Sequence, residues 1–192
     1  MSLKDMTIAD RAVLVTGANR GIGKALVEEA LRRGAKRVYA GTRQPLAHLD
    51  GRVTPLTLDV TNAAQTQAAV ERVESLDVLI NNTGLALYDD LSDRAALEQR
   101  VAVNLFGTYG VSVHAVLTGP VDTDMSRGLD ISKASPESVA RAIFDGVEKG
   151  EQDIFPDPMS ESMAENWRSG AVKALERQYA GLIDPSFVRR SS

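Results

Sequence analysis

Eight residues near the N-terminus, Thr16-Gly17-Ala18-Asn19-Arg20-Gly21-Ile22-Gly23, stand between an apolar run, Ala12-Val13-Leu14-Val15, and a helical stripe of Ile22, Leu26 and Ala30. Gly17 permits a sharp turn out of a strand. Gly21 and Gly23 let backbone approach a pyrophosphate and let a helix pack close to a sheet. The start of that helix offers unpaired N–H groups and a partial positive charge to the phosphates. The spacing is G-x-x-x-G-x-G rather than G-x-G-x-x-G, and a plain tight turn is the alternative reading.

A dinucleotide held there can be narrowed further. A free ribose 2′-hydroxyl favours a carboxylate at the end of the second strand, whereas a 2′-phosphate needs cations. The second strand ends Ala40-Gly41-Thr42-Arg43 without an acid, and Arg20 lies inside the glycine loop. Two guanidinium groups can hold a phosphate through charge-assisted, often bidentate hydrogen bonds. NADP is therefore expected over NAD, with Arg43 as a solvated loop charge the competing reading.

Other reactive residue types are sparse. The chain has no Cys, which removes disulfides, thiolate nucleophiles and Cys-based metal sites. With only His48 and His114, no metal site is expected, and His114 reads as a strand histidine. Asp89-Asp90 and Asp122 with Asp124 could pass for carboxylate pairs but read as solvated loops. Met163 and Trp167 read as packing or subunit contacts, with a substrate wall as the alternative.

The elements that must position these residues follow from pattern. The chain has 192 residues, 43% of them apolar and 25% charged, with a net charge of −4. Those values suit one soluble domain and give no electrostatic reason to expect nucleic acid or an anionic membrane as partner. Met1 to Asp10 lack an apolar signal core and no stretch approaches ~20 apolar residues, so a cytoplasmic protein is expected. Strands are expected at Ala12–Val15, Val38–Gly41, Val53–Leu58, Val78–Ile80 and within Val111–Leu117, with a short one at Ile154-Phe155. Pro55 weakens the third. Helices are expected from Ile22 to Gly34, after the Asn62/Gln65 capping pair, from Ala95 to about Phe106, from Pro136 to Gly150, and from Ser160 to about Leu182 with a break at Gly170. Short strands alternating with helices predict an α/β chain forming a single doubly wound domain over residues 1–192.

The motifs resemble those of the classical short-chain dehydrogenase/reductase family. Thr16 to Gly23 matches its T-G-x-x-x-G-I-G, and Asp59-Val60 its acidic residue after the third strand, which faces the adenine. Asn81-Asn82-Thr83-Gly84 resembles N-N-A-G, with Thr for Ala. Asn104, in Val103-Asn104-Leu105-Phe106-Gly107, matches the Asn of the catalytic tetrad. Gly119 to Met125 resembles the P-G-x-V-x-T segment that meets the nicotinamide amide, with Thr118 where the motif has its first Pro. The resemblance implies a Rossmann-type doubly wound parallel sheet with helices on both faces. It implies hydride transfer between NADP(H) and an alcohol or carbonyl, in a homodimer or homotetramer. Gly17, Asn19, Arg20, Gly21, Ile22, Gly23, Arg43, Asp59, Val60, Asn82, Thr83, Gly84, Gly119, Val121 and Thr123 would bind the cofactor, and Asn104 would be catalytic.

One part of the pattern is missing. In that family a Tyr serves as acid/base, a Lys four positions later lowers its pKa, and a Ser orients the carbonyl oxygen. Four positions after Tyr39, Tyr88, Tyr109 and Tyr179 stand Arg43, Ser92, Val113 and Ile183, none of them Lys. The interval from Asn104 to Gly119 is too short for a strand and crossover helix, which need about 30 residues. The spacing predicts a contiguous block absent within 109–112, near Gly110 or Val111. Either the molecule contains residues that this sequence closes over, or the chain is truly shortened. The sharp motifs on both sides favour the first. The second gives a non-catalytic nucleotide-binding or interaction protein on a truncated Rossmann-like scaffold. Intact mass separates them: a value clearly above 20.6 kDa is expected for the first and a match to it for the second.

Overall fold

The run Ala12-Val13-Leu14-Val15 extends by one residue into strand β1 (Ala12–Thr16), and all five side chains are buried. A continuous apolar run on an inner strand of a parallel sheet has both faces covered, which is why it does not alternate. The computed structural model describes residues 7–44, 47–84, 114–171 and 173–174. Strand β2 (Arg37–Thr42) pairs with one edge of β1, and β3 (Val53–Thr57) lies outside β2. Strand β4 (Val78–Ile80) pairs with the other edge of β1, so the parallel order is β3-β2-β1-β4. Pro55 stands opposite Ala40 in β3, an edge strand in this sheet, where a residue without an N–H is tolerated.

Helix α1 (Gly21–Arg32) buries Leu26, Val27, Ala30 and Leu31, and Gly34 follows it at φ +85°, the left-handed turn expected of a glycine in that place. Helix α2 (Ala63–Arg72) starts at Asn62, whose side chain accepts from Gln65 N at 3.1 Å. The reciprocal half of the expected capping pair is redirected, because Gln65 Oε1 accepts from Asp59 N at 2.8 Å. Of Val70 and Val73, only Val73 packs on the core, while Val70 is exposed.

In the next described stretch, β5 (Ala115–Val116) pairs in parallel with β6 (Asp153–Ile154). Between them runs α3 (Pro136–Lys149), with Ser135 accepting from Ser138 N and Gly150 closing the end at φ +72°. The helix expected from Ser160 begins two residues earlier, as α4 (Pro158–Ser169), and residues 175–182 of the expected span lie outside the described residues. Its cap is Asp157, and Gly170, in extended conformation, interrupts the run as expected, with Ala171, Lys173 and Ala174 helical beyond it. The helix expected near Ala95, Asn104, Tyr88, Asp89-Asp90 and the junction at 109–112 lie outside the described residues.

Alternation along the strands separates two cores. Val13, Val15, Val38 and Ala40 join Leu26 and Ala30 of α1 and Val139, Ile143 and Phe144 of α3. Ala12, Leu14 and Tyr39 point the other way, where they meet Leu56, Leu58 and Ala69 of α2. Helices therefore cover both faces of a Rossmann-like parallel sheet. Arg33 bolts α1 to α3: it bonds Glu29 Oε1 at 2.9 Å, Glu148 Oε2 at 2.6 Å and Asp145 Oδ1 at 2.5 Å, and lies over the Phe144 ring. The Glu29 carboxyl is held below its usual range, first by its hydrogen bond from Arg32 and then, against partial burial, by Arg33. Phe144 is fully buried beneath this network. Phe144→Ala is expected to lower the unfolding free energy by about 3–5 kcal/mol, read from urea denaturation at unchanged m-value.

Candidate functional site

From β1 the chain builds outward through β2 and β3, then returns to the opposite edge of β1 to form β4. A reversal of this kind leaves a crevice at the carboxyl ends of the two diverging strands, where open parallel sheets take ligands. Thr16-Gly17 and Asn81 to Gly84 occupy it. Thr16 Oγ1 accepts from the amides of Asn82 and Thr83, both at 3.0 Å, and lies 3.4 Å from Ile80 O. Asn82 Nδ2 donates to Thr16 O at 3.0 Å and Gly17 O at 3.3 Å. These bonds satisfy the polar groups that two strand ends would otherwise strand in a part-buried place.

The glycine loop folds onto that network. Gly17 and Gly21 take φ of +66° and +52°, which side chains rarely adopt. A Cβ on Gly23 would lie 2.1 Å from Gly17 O and 2.5 Å from Asn82 Nδ2, so no side chain fits. A Cβ on Gly21 would meet Thr123 Cγ2 at 3.0 Å, so the segment after β5 closes on the same loop. Arg20 is the N-cap of α1 and makes no side-chain cap bond. The helix start thus has no cap from its own N-cap side chain and lies beside the crevice, an arrangement that suits an anionic ligand.

The expected residues divide between two ends. Arg43 follows β2 and Asp59 follows β3. Asp59 Oδ1 accepts from Thr61 N at 3.0 Å and Thr61 Oγ1 at 2.7 Å. The Thr61 hydroxyl, then its amide, hold the Asp59 carboxyl below the usual range, with the Arg43 charge adding to them. Val60 packs on the α2-side core, and Ile22 on the α1-side core. Asn19 and Gly84 are exposed. Arg20, paired in expectation with Arg43, instead has Nη1 3.5 Å from Asp124 Oδ2, reaching toward the segment after β5. That ion pair is solvent-exposed and of small energetic weight.

On the far side, Gly119 N donates to Asp157 Oδ2 at 2.7 Å. Val121 is buried and bridges to Ala134. Thr123 N donates to Ser126 Oγ at 3.3 Å, and Ser126 Oγ donates to Val121 O at 2.5 Å. His114 lies just before β5, its Nδ1 2.6 Å from Glu151 O, as suits a strand-edge histidine. Among the described residues no cluster of three or more His, Asp or Glu could hold a metal, and no helix is long and apolar enough to cross a membrane. Asn104 lies outside the described residues. Two contributors escaped the sequence reading: the Thr16 hydroxyl, and Asp157 with Ser160. The second carried a legible signal, since Asp157-Pro158-Met159-Ser160 has a capping residue, Pro at the first helical position and a polar third residue. Gly23→Ala is expected to destabilise the fold by about 3 kcal/mol, because its Cβ would meet backbone that cannot yield cheaply. Thermal denaturation checks it against Gly51→Ala, where a Cβ meets open space.

Residues 11–110 match the family model of short chain dehydrogenases. A 3-ketodihydrosphingosine reductase of Bacteroides thetaiotaomicron is 34% identical over 105 residues, covering 52% of this chain and 38% of its own length. An L-rhamnose 1-dehydrogenase (NAD(P)(+)) of Azotobacter vinelandii is 32% identical over 122 residues, covering 54% and 48%. The chain thus spans half or less of the length of these curated relatives. A short chain dehydrogenase from Burkholderia cenocepacia J2315, solved in complex with NADP, superimposes with a TM-score of 0.77 at 26% identity, covering 94% of this chain and 100% of that one. A short-chain dehydrogenase from Sphingobium yanoikuyae, 19% identical, shares the fold with a TM-score of 0.71 over 91% and 97% of the two chains. With the family match extending over more than half its length and the sheet reversal in the same place as the motif, this chain belongs to the short chain dehydrogenase family.

Proposed function

We propose that this chain is an NADP(H)-dependent oxidoreductase acting between an alcohol and a carbonyl compound. The observation that carries the reading is the start of α1, whose N-cap Arg20 makes no side-chain cap bond and which is folded tightly against Gly17 through Gly21 and Gly23. A dinucleotide diphosphate fits such a cradle, and the similar Burkholderia cenocepacia protein was solved with NADP. Bound there, the cofactor would supply or take up the hydride. Arg43 would face a 2′-phosphate from the end of β2, with Asp59 and Val60 beside the adenine. Asn82, Thr83 and Gly84 would floor the middle of the crevice, and Gly119, Val121 and Thr123 would wall its other end. Arg20 could join Arg43 at the phosphate by leaving Asp124, at small cost for an exposed pair. In keeping with the family, a homodimer or homotetramer in the cytoplasm is the proposed setting.

Proton transfer to the carbonyl oxygen needs a group this sequence does not carry in the family's spacing. The family model stops at Gly110, beside the position where the interval is too short, which supports a block of the molecule lying between the flanking segments. Asn104 is then the tetrad member still present. The absence of a Tyr followed four positions later by Lys favours one other reading, a nucleotide-binding protein without turnover.

Titration with NADPH and NADH tests the cofactor. Arg43→Ala is expected to weaken NADPH by about tenfold to a hundredfold, the worth of hydrogen bonds to a charged group, with NADH nearly unchanged. An unaltered NADPH-to-NADH ratio would overturn the NADP preference.

A further inference from the structure

Gly119 and the start of α4 are pressed together. A Cβ on Gly119 would lie 2.5 Å from Asp157 Oδ1 and 3.1 Å from Met159 Cβ. The contact is polar as well as close. Asp157 Oδ2 accepts from Gly119 N at 2.7 Å and from Ser160 Oγ at 2.8 Å, while Oδ1 accepts from Met159 N at 3.1 Å and Ser160 N at 3.0 Å. Asp157 is 6% exposed and Ser160 1%. A helix cap needs one or two amides of its own first turn. The Gly119 amide belongs to another segment, 38 positions away, so capping α4 does not account for it.

From Gly119 the chain passes through Val121, bridged to Ala134, and reaches Thr123, whose methyl abuts Gly21 of the glycine loop. The position of that wall relative to α1 is therefore set at one end by Asp157 and at the other by Ser126. Arg43 and Asp59 follow β2 and β3, on the opposite side of β1 from β4, whereas this segment meets the glycine loop through Thr123. A dinucleotide laid along the crevice would keep its adenosine end by Arg43 and present its other nucleoside to the Gly119–Thr123 wall.

We propose that Asp157 is a positioning residue, anchoring the Gly119–Thr123 wall through the Gly119 amide so that it meets the cofactor half remote from the adenosine. The inference rests on the reading of the crevice as a dinucleotide site. The acceptor must be ionised to serve four donors. Burial pushes the Asp157 carboxyl up, but the amides of Ser160 and Gly119, the Ser160 hydroxyl and the Met159 amide together leave it below its ordinary value. A lowered folded-state pKa means the anchor is present above the unfolded value and is lost as pH falls through the folded one. It is therefore intact at neutral pH.

The test compares the full chain with its Asp157→Asn and Gly119→Ala variants. The first replaces one acceptor by a donor, and the second displaces the segment while leaving the carboxylate. Dissociation constants are measured by calorimetry for NADPH and for adenosine 2′,5′-bisphosphate, which lacks the nicotinamide half. Each variant is expected to lose about tenfold in NADPH affinity while the bisphosphate stays within about twofold. Amide hydrogen exchange should quicken across residues 117–126 and stay slow across 12–32. Equal losses for both ligands, or an unchanged NADPH constant in a folded variant, overturn the proposal. Where Asp157→Asn fails to fold, Gly119→Ala decides. A wild-type chain that binds neither ligand defeats the dinucleotide reading itself. Unchanged exchange at 117–126 in Asp157→Asn defeats the anchor whatever the ligands do.

Discussion

The meeting of Gly17, Gly23 and Asn82 is the constraint from which the rest of the crevice follows. Gly23 approaches Gly17 O so closely that no Cβ could stand between them, and Asn82 Nδ2 bonds the carbonyls of Thr16 and Gly17 from the other side. Two strand ends and one helix start are thereby drawn to a single point. As in any helix, the first amides of α1 lack intrahelical partners and point along its axis from its N-terminal end. The Thr16 hydroxyl joins β1 to the turn after β4 by accepting from Asn82 and Thr83.

Around that point the chain is held by two further ties between segments far apart in sequence. Arg33 joins α1 to α3 through two carboxylates of α3, Asp145 and Glu148, and the Phe144 ring, on the face opposite α2. Asp157 joins the start of α4 to the segment after β5. Both are charged groups in part-buried surroundings, where an unpaired partner is costly and a satisfied network specifies one geometry. The residues after β5 thus belong to the same domain as the glycine loop, although the sheet containing β5 and β6 is separate in its hydrogen bonding from the four-stranded one.

The exposed apolar side chains among the described residues include two groups. Met159, Met163 and Trp167 lie along one side of α4, four residues apart, and all three are exposed. Met159 begins this stripe beside Gly119, at the wall of the crevice. On the α2 side, Val70 and Leu79 are exposed over the smaller of the two cores.

Much of the site was legible because its chemistry is local. The Thr16–Gly23 motif owes its meaning to residues within one turn of each other, and the helix starting at Pro136 follows from Ser135, Pro136 and Gly150 alone. Strand runs such as Ala12–Val15 declare burial on both faces through composition. The departures share one cause, a partner from elsewhere in the chain. Pro55 is harmless only because β3 is an edge, Gln65 leaves its capping role for the Asp59 amide, and Arg20 turns to Asp124. Gly119 finds Asp157 only when α4 is packed against it. Backbone geometry and hydrophobic period act over a few residues, so sequence alone determined the α/β pattern and the glycine loop. Which strand lies at an edge and which donor reaches a buried carboxylate depend on contacts closed over long loops, and those only the tertiary structure decided.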